Sequence, residues 1–203
     1  MKIICIGRNY AEHAAELGND VPNEPVIFMK PKSALLNNFA PFYYPEFTNE
    51  LHYECELVLR VCKNGKYIPE ELASGYINGI SVGIDFTARD IQDELKKKGL
   101  PWEKAKAFDN SAAVGKFIDI EAGTKLENIN FSFKQNGETV QQGNSNQMIF
   151  NFDNIIANIS NYFSLNIGDL IFTGTPKGVG ECMVGDKLEA FYEEEKLLSL
   201  VVK

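Results

Sequence analysis

The sequence predicts one β-rich α+β domain that spans residues 1–203. Apolar runs of strand length recur between turn residues along the chain, and helical spacing is confined to three segments. No internal repeat, low-complexity segment or linker rich in Pro, Gly and Ser divides the chain, which favours one continuous domain. Because helices do not alternate regularly with strands, a doubly wound parallel sheet is not expected.

The strand signals are runs of β-branched and aromatic residues with turn residues on both sides. They are KIICIG, PVIFMK, ECELVLRVC, INGISVGIDF, NINFSFKQNGETVQQ, GDLIFTG, DKLEAFYEE and KLLSLVV. In the fifth of these, Asn136 and Gly137 lie between two alternating stretches. This pair tolerates the positive φ that a tight turn needs, so it predicts a two-residue β-hairpin.

The first helical segment is short, and the third is indicated by its apolar spacing. In NYAEHAAEL, residues 9–17, Asn9 is a candidate cap for the first turn and Gly18 is the expected stop. In NFDNIIANISNYF, roughly residues 151–163, the apolar residues recur at helical spacing. We therefore expect one helix in each segment.

The second helical segment, TARDIQDELKKKG at residues 87–99, carries signals at both ends. Thr87 is a candidate N-cap, and Asp90 follows in the first turn, where the helix dipole favours an acidic side chain. The lysines at 96–98 suit the negative end of the dipole, and Gly99 can adopt the left-handed conformation that ends a helix. These signals predict a well-defined helix.

Composition and charge exclude several classes of partner. The chain has 20 basic and 28 acidic residues and a net charge of -8, which repels polyanions, so neither nucleic acid nor a membrane is an expected partner. No apolar run is long enough to cross a bilayer, and MKIICIGRNY lacks the apolar stretch of a secretory signal, so a cytoplasmic location is expected. The four cysteines form no C-x-x-C pair, which favours reduced, mostly buried thiols.

The segment LHYECELVLR places Glu54 and Glu56 two residues apart in an expected strand. Side chains alternate between the two faces of a strand, so both carboxylates point one way while Cys55 points the other. Like charges held this close repel, and burial adds a desolvation cost unless a cation or a shared proton relieves it. We therefore expect a positive charge beside this pair.

Asp85 ends the strand signal GIDF just before the second helix. With Glu54 and Glu56 it makes a set of three carboxylates from two strand segments, which is the kind of oxygen ligand set that Mg²⁺ prefers. The alternative is that all three acids are solvated surface groups, and for the E-x-E pair alone this alternative is favoured. The neighbouring residues shift the balance toward a metal site.

His13 and Glu16 stand three residues apart on the first helix and share a face. A carboxylate beside an imidazole fixes the tautomer and raises the basicity, so this dyad can take a proton from water. Taken alone, the pair is better interpreted as an exposed helical pair worth little stability. We assign a structural role to His52, the only other histidine.

Two further segments offer polar groups. PWEKAKAFDNSA places Lys104 and Lys106 near the only tryptophan, and FTGTPKGVGECMVGD contains a glycine-rich turn with Thr175. The turn lacks the residue order of a phosphate loop, although its N–H groups and Thr175 can hold a carboxylate. A plain turn between two strands is an equally good interpretation.

These segments together resemble the fumarylacetoacetate hydrolase superfamily. GRNYAEHAAEL, KPKSAL, HYECELVL, GIDFTARDIQ, PWEKAKAFD, TGTPKGVG and the GD at 185–186 follow in the order and spacing of that family over about residues 3–202. The chain is most similar to the compact acylpyruvase and oxaloacetate decarboxylase branch. Arg8, Lys30 and Lys177 lie inside these motifs, but the resemblance gives them no role.

The resemblance implies eight site residues and a divalent metal cofactor, Mg²⁺ or Mn²⁺. They are the metal ligands Glu54, Glu56 and Asp85, the catalytic residues His13, Glu16 and Lys106, and the substrate-binding residues Gln92 and Thr175. The implied fold is a β-roll of mixed sheets, and the implied assembly is a homodimer. The implied substrate is a small 2-oxo or diketo acid.

The implied activity is a metal-dependent hydrolase that cleaves a C–C bond in acylpyruvate-type diketo acids and also decarboxylates oxaloacetate. His13, oriented by Glu16, would activate a water, and Lys106 would stabilise the oxyanion or position the substrate. The alternative enzyme is an isomerase or tautomerase of 2-hydroxy-diene dioic acids or of enol-oxaloacetate. A non-catalytic protein is a third class, but such a chain would be free to lose at least one of these groups, and all are present.

Overall fold

A computed structural model describes residues 1–16, 18, 20–36 and 40–203, and it confirms the predicted β-rich α+β class. Four α-helices occur in these ranges. They are α1 (Ala11–Glu16), α2 (Arg89–Lys98), α3 (Glu103–Lys106) and α4 (Phe152–Tyr162). Three 3-10 helices, Lys32–Ala34, Glu70–Tyr76 and Ser145–Gln147, and fourteen strands make up the rest of the regular structure. The strands are β1 (Ile3–Gly7), β2 (Val26–Lys30), β3 (Leu51–Tyr53), β4 (Cys55–Val61), β5 (Ile77–Asp85), β6 (Thr87–Ala88), β7 (Ala112–Val114), β8 (Ile118–Asp119), β9 (Asn130–Gln135), β10 (Glu138–Asn144), β11 (Leu170–Phe172), β12 (Gly180–Glu181), β13 (Lys187–Tyr192) and β14 (Glu195–Val201).

The strands form three sheets. The largest has seven strands in the order β2-β1-β11-β4-β5-β7, with β8 also paired to β5. It is mixed, because β1 and β11 are parallel while β11, β4 and β5 pair antiparallel. The second sheet has the order β10-β9-β13-β14, and the third has the order β12-β3-β6.

This topology brings four strand ends to one edge of the large sheet. Cys5 of β1 pairs with Phe172 of β11, so both strands end at this edge. Cys55, at the start of β4, pairs with Ile84 near the end of β5, so the beginning of β4 and the end of β5 lie there too. Residues just outside these strand ends therefore meet, although they are far apart in the sequence.

The core lies between the large sheet and the four-stranded sheet, where β5 packs against β13 and β14, and apolar side chains of α4 belong to the same cluster. Leu57, Ile80, Phe133, Ile155 and Leu188 are among the fully buried members. Each such side chain stabilises the fold by about 1.5–3 kcal/mol relative to its exposed state. The same packing holds the strand ends in place.

The hairpin prediction is confirmed. Asn136 and Gly137 connect β9 to β10 with φ values of 55° and 88°, and Gln135 pairs with Glu138 across the turn. The third helical segment is confirmed as α4, which Asn151 caps by accepting a hydrogen bond from the backbone N–H of Asn154.

Two predicted helix caps are wrong. The Asn9 side chain is fully buried and binds the backbone of Phe150 and Thr173 instead of capping α1. Thr87 lies in β6, one residue before the Ala88 cap of α2, and its hydroxyl accepts a hydrogen bond from Lys106. Tertiary partners displaced the local caps because a buried polar side chain must find a partner inside the protein.

The glycines expected after the first two helices have the left-handed conformation. Gly99 ends α2 in the left-handed conformation, with a φ of 64°. α1 ends at Glu16 and Gly18 also has a φ of 64°, whereas Leu17, the last predicted residue of that helix, lies outside the described residues.

The remaining sequence expectations concern thiols and membranes. All four cysteines are free, and Cys5, Cys55 and Cys182 are buried, as expected. No helix in the described part of the chain has the length and apolar character needed to cross a membrane.

Candidate metal centre and active site

Three carboxylates meet at the sheet edge where β4 begins and β5 ends. Glu54 directly precedes β4, Glu56 is the second residue of β4, and Asp85 is the last residue of β5. One oxygen from each carboxylate lies within 4.8 Å of the other two, and all three side chains are buried. The prediction that Glu54 and Glu56 share a face is confirmed, and the interpretation as solvated surface acids is wrong.

Lys106 supplies part of the positive charge expected beside this pair. Its ammonium donates to Glu54 Oε2 at 2.8 Å, to Asp85 Oδ2 at 2.8 Å and to the Thr87 hydroxyl at 2.7 Å. Burial alone would lower the pKa of Lys106, but Asp85 and Glu54 raise it above its ordinary value. The amine is therefore held protonated with all three N–H groups engaged.

Arg89 supplies a second buried cation. Its guanidinium donates to Glu54 Oε1 at 2.6 Å and to the Gln92 side-chain oxygen at 2.6 Å. Burial alone would raise the pKa of Glu54, but Lys106 and Arg89 hold it well below its usual range. Glu54 is therefore an ionised carboxylate with both oxygens already in use.

Lys30 is the third buried cation, and neither Lys30 nor Arg89 was assigned a role from the sequence. Lys30 Nζ lies 2.7 Å from Asp85 Oδ1 and 3.0 Å from the Ser111 hydroxyl, and it also donates to the Lys106 carbonyl. Arg89 did carry a sequence signal, because a cation at the first position of a helix opposes the helix dipole and needs an acidic partner. Lys30 ends an apolar strand and carries no comparable local signal.

Two of the three carboxylates keep bonding capacity that the described residues leave unused. Glu56 has no ion-pair partner among them and accepts one hydrogen bond, from the Gly174 N–H at 2.7 Å. Asp85 Oδ1 is buried without a properly oriented hydrogen bond, despite the nearby Lys30 ammonium. Burial, together with Asp85 and Glu54, raises the pKa of Glu56 well above its ordinary value. A buried oxygen set of this kind fits a divalent cation.

The predicted dyad is formed at the end of α1. His13 Nδ1 lies 3.2 Å from Glu16 Oε2, and a Glu16 oxygen accepts a hydrogen bond from the Gly178 N–H at 3.1 Å. A carboxylate can only accept, so Nδ1 carries a proton, and in the neutral imidazole Nε2 then presents a lone pair. His13 is buried although Glu16 is exposed, so the alternative of a fully exposed pair does not hold for the imidazole.

One cleft is lined by six of the eight predicted site residues. Those lining it are His13, Glu54, Glu56, Gln92, Lys106 and Thr175. Asp85 and Glu16, the other two, join the site through their bonds to Lys106 and His13. Arg89 lines the cleft as well. His52, assigned a structural role, lies beside Arg89 at 3.4 Å and is not among the lining residues.

The glycine-rich turn after β11 holds carboxylates, as its sequence allowed, but they belong to the chain itself. The Gly174 N–H binds Glu56, and the Gly178 N–H binds Glu16. The Thr175 hydroxyl donates to a backbone carbonyl of β4 at 2.8 Å. This turn therefore fixes one member of the acidic centre and one member of the dyad.

The arrangement combines three functions in one cleft. The acidic centre can hold a cation that polarises a carbonyl group, the imidazole can move a proton, and the buried lysine and arginine keep the acids ionised and oriented. A curled mixed sheet with such a site at one edge defines the class of protein as an enzyme whose acidic centre can hold a divalent cation.

Comparison with known proteins identifies the family. Residues 2–199 match the family described as fumarylacetoacetate (FAA) hydrolase C-terminal, so the chain belongs to this family. It is 43% identical over 188 residues to the mitochondrial oxaloacetate tautomerase of Homo sapiens, covering 93% of this chain and 85% of that protein. It is 40% identical over 202 residues to an oxaloacetate tautomerase of Escherichia coli, covering 99% and 92%.

A solved structure shows the same fold. Fumarylpyruvate hydrolase from Pseudomonas aeruginosa, in complex with Mn²⁺ and pyruvate, superposes with a TM-score of 0.94 at 36% identity, covering 100% of this chain and 89% of that chain. The β-roll implied by the family resemblance is therefore confirmed, and the chain is an enzyme of this family.

Proposed function

We propose that this enzyme interconverts the keto and enol forms of oxaloacetate and uses Mg²⁺ or Mn²⁺ held by Glu54, Glu56 and Asp85. The observation that carries the proposal is the buried acidic trio beside the cleft that His13 lines, because Glu56 and Asp85 in this trio keep unused bonding capacity. Relatives at 40% and 43% identity are named oxaloacetate tautomerases, and a structural relative was solved with Mn²⁺ and pyruvate, a 2-oxo acid.

The chain's own residues supply the proton transfer. When bound, the cation would act as a Lewis acid on the substrate's 2-oxo group. His13 Nε2 faces no described hydrogen-bond partner, so it is available to take a proton from the carbon beside the carbonyl and deliver it to the carbonyl oxygen, which gives the enol. The reverse transfer restores the keto form. Glu16 holds the imidazole in the required tautomer, and Gly178 holds Glu16. The half-buried aromatic side chains of Phe28 and Trp102 line the cleft and limit the access of water to the reacting carbon.

Lys106 acts as a positioning residue in this proposal. All three of its N–H groups are engaged with Glu54, Asp85 and Thr87. It therefore orients two of the three metal ligands and balances their charge, and contact with an oxyanion would require it to release one of these partners.

The second candidate is C–C bond hydrolysis of acylpyruvates, with oxaloacetate decarboxylation as a related activity. The His13–Glu16 dyad favours it, because a base oriented in this way can activate a water as well as move a substrate proton. The fumarylpyruvate hydrolase relative supports the same candidate.

The test compares keto–enol exchange of oxaloacetate, followed by ultraviolet absorbance, in metal-free protein and after addition of Mn²⁺ or Mg²⁺. The variant is Glu56→Gln. Its matched control is Glu189→Gln, which changes another buried glutamate, one that pairs with Lys187 and Lys196 on the second sheet. We expect metal-dependent exchange that is lost only in Glu56→Gln.

Parallel assays of pyruvate release from acetylpyruvate, fumarylpyruvate and oxaloacetate separate the candidates. Metal-dependent pyruvate release without accelerated keto–enol exchange would refute the tautomerase proposal and support the hydrolase or decarboxylase candidate. Exchange that is unaffected by metal or by Glu56→Gln would refute the proposed centre.

A further inference from the structure

Arg8 has a backbone conformation that a non-glycine residue rarely adopts. It follows β1 directly, and its φ is 59°. In the described chain, only Arg8, Tyr67 and Glu193 combine a positive φ with a residue other than glycine or asparagine. Of these three, only Arg8 lines the candidate active-site cleft. Backbone strain of this kind persists where it serves the site, so it directs attention to the Arg8 side chain.

The neighbouring residue fixes this conformation from one side. Asn9 donates from its side chain to the carbonyls of Phe150 and Thr173 at 3.0 and 2.8 Å and accepts from the Phe150 N–H at 2.8 Å. Its Cβ is so close to Gly174 that a Cβ added to that glycine would lie 2.7 Å away. On the other side, Gly7 pairs with Val26 in the large sheet. The chain must therefore turn at Arg8.

The charges of the cleft leave Arg8 unpaired. The carboxylates Glu54 and Asp85 already bind Lys30, Lys106 and Arg89. The Arg8 side chain has no hydrogen-bond or ion-pair partner among residues 1–16, 18, 20–36 and 40–203.

Lys96, on α2, is a second cation at the cleft that has no ion-pair partner among the described residues. Its ammonium lies 5.9 Å from the centre of the Trp102 ring. A planar guanidinium matches a carboxylate with two parallel hydrogen bonds, whereas an ammonium does not, so Arg8 is the better candidate to recognise an acid group.

We propose that Arg8 determines substrate specificity by binding the second carboxylate of the substrate, so that the cleft prefers dicarboxylic over monocarboxylic 2-oxo acids. This inference rests on the proposed function, because it assigns the first carboxylate and the 2-oxo group to the metal centre. The strained backbone then has a physical purpose: it keeps the side chain at the cleft while β1 and Asn9 stay in place.

Oxaloacetate and pyruvate provide a matched test, because they differ only by the second carboxylate. In the Mn²⁺-loaded enzyme, the KM for oxaloacetate exchange and the inhibition constant of pyruvate come from the same assay. We expect Arg8→Gln to raise the KM for oxaloacetate about tenfold or more and to change the pyruvate constant less than about twofold. Arg8→Lys should fall between the wild type and Arg8→Gln.

Lys96→Gln is the control for a general loss of positive charge at the cleft, and we expect it to shift both constants by less than about threefold. The proposal is overturned if Arg8→Gln weakens the binding of oxaloacetate and of pyruvate equally, or if it changes neither constant. It is also overturned if Lys96→Gln alone weakens oxaloacetate binding selectively.

Arg8→Gly separates the side chain from the backbone. Glycine adopts this φ without strain, so the variant should fold with a midpoint of thermal unfolding at or above that of the wild type. It should show the same selective loss of affinity for oxaloacetate as Arg8→Gln. Unchanged selectivity in a folded Arg8→Gly enzyme would refute the proposal. If the wild type showed no exchange at all, the proposed function would fail first. Calorimetric titration of the Mn²⁺-loaded protein with oxaloacetate and pyruvate would still report whether Arg8 discriminates between them.

Discussion

A buried carboxylate lies beside each end of strand β11, and the two differ in the hydrogen-bond donors and cations that surround them. Asp169, just before the strand, accepts hydrogen bonds from the N–H groups of Lys2 and Asn166 at 2.7 and 2.8 Å and pairs with the Lys2 ammonium at 2.5 Å. Glu56, beside the other end, accepts only the Gly174 N–H and has no cation partner among the described residues.

This difference distinguishes a buried carboxylate that stabilises the fold from one that serves the candidate site. A buried carboxylate is costly unless donors and a cation satisfy it, and at Asp169 the chain provides both. Glu56 has only one hydrogen-bond donor and no ion-pair partner among the described residues, although positive groups are close by. A carboxylate that the fold buries without satisfying is a candidate ligand, whereas an equally buried but satisfied one is part of the scaffold.

The largest expected effect is the loss of metal-dependent catalysis in Glu56→Gln. Loss of one of three anionic ligands should reduce Mn²⁺ affinity and the rate of oxaloacetate exchange by about a thousandfold. Without metal the variant should be at least as stable as the wild type, because it removes a like charge beside Asp85 and Glu54. Calorimetric titration with Mn²⁺ and thermal unfolding measure the two effects. Mn²⁺ affinity within a few-fold of the wild type would contradict the contrast with Asp169.

His13→Gln should separate proton transfer from metal binding. Loss of the base is expected to lower the rate of exchange by about 10²- to 10⁴-fold. Mn²⁺ affinity should stay close to that of the wild type, because His13 is not a proposed ligand. Glu12→Gln, on the exposed side of the same helix, is the control and should leave both quantities unchanged. A rate that survives His13→Gln would remove His13 from the mechanism.

Asp169→Asn should have the opposite effect to Glu56→Gln. An amide there loses the ion pair with Lys2 and leaves backbone donors imperfectly matched, so we expect unfolding free energy to fall by about 1–3 kcal/mol. Mn²⁺ affinity and the rate of exchange of the folded enzyme should be unchanged. Denaturant unfolding and Mn²⁺ titration of the same preparation measure both, and a variant that lost Mn²⁺ affinity while remaining folded would break the comparison.

The smallest expected effect concerns another carboxylate that the chain satisfies. Burial alone would raise the pKa of Asp186, but the Met183 N–H and the side-chain amides of Asn136 and Gln135 lower it. A depressed folded pKa contributes stability above the ordinary carboxyl pKa, and that stability is lost as pH falls through the folded value. Thermal unfolding of Asp186→Asn should therefore depend less on pH in this acidic range than unfolding of the wild type. An identical pH dependence would contradict this role.

The parts of the site that the sequence predicted depend on short-range geometry. The shared face of Glu54 and Glu56 follows from alternation along a strand, and the contact of His13 with Glu16 follows from helical spacing. The turn at Asn136 likewise follows from a preference of two adjacent residues.

The missed parts depend on partners far away in the sequence. Lys30 reaches Ser111, 81 positions later, and Gln141 accepts from the Cys55 N–H, 86 positions earlier. Asn9 and Thr87 failed as caps for the same reason. The short strands β6 and β12 have two residues each, too few to show any periodicity.

The parallel pairing of β1 with β11 has a consequence for the order of folding. Asn9 bonds to Thr173 across 164 positions, and Glu56 meets Gly174 across 118. Closing such long loops is slow and entropically costly, so these contacts form late. A chain growing on the ribosome carries all three acids long before the turn after β11 exists. Full metal affinity should therefore appear only in the final stage of folding, when the turn after β11 reaches the acids.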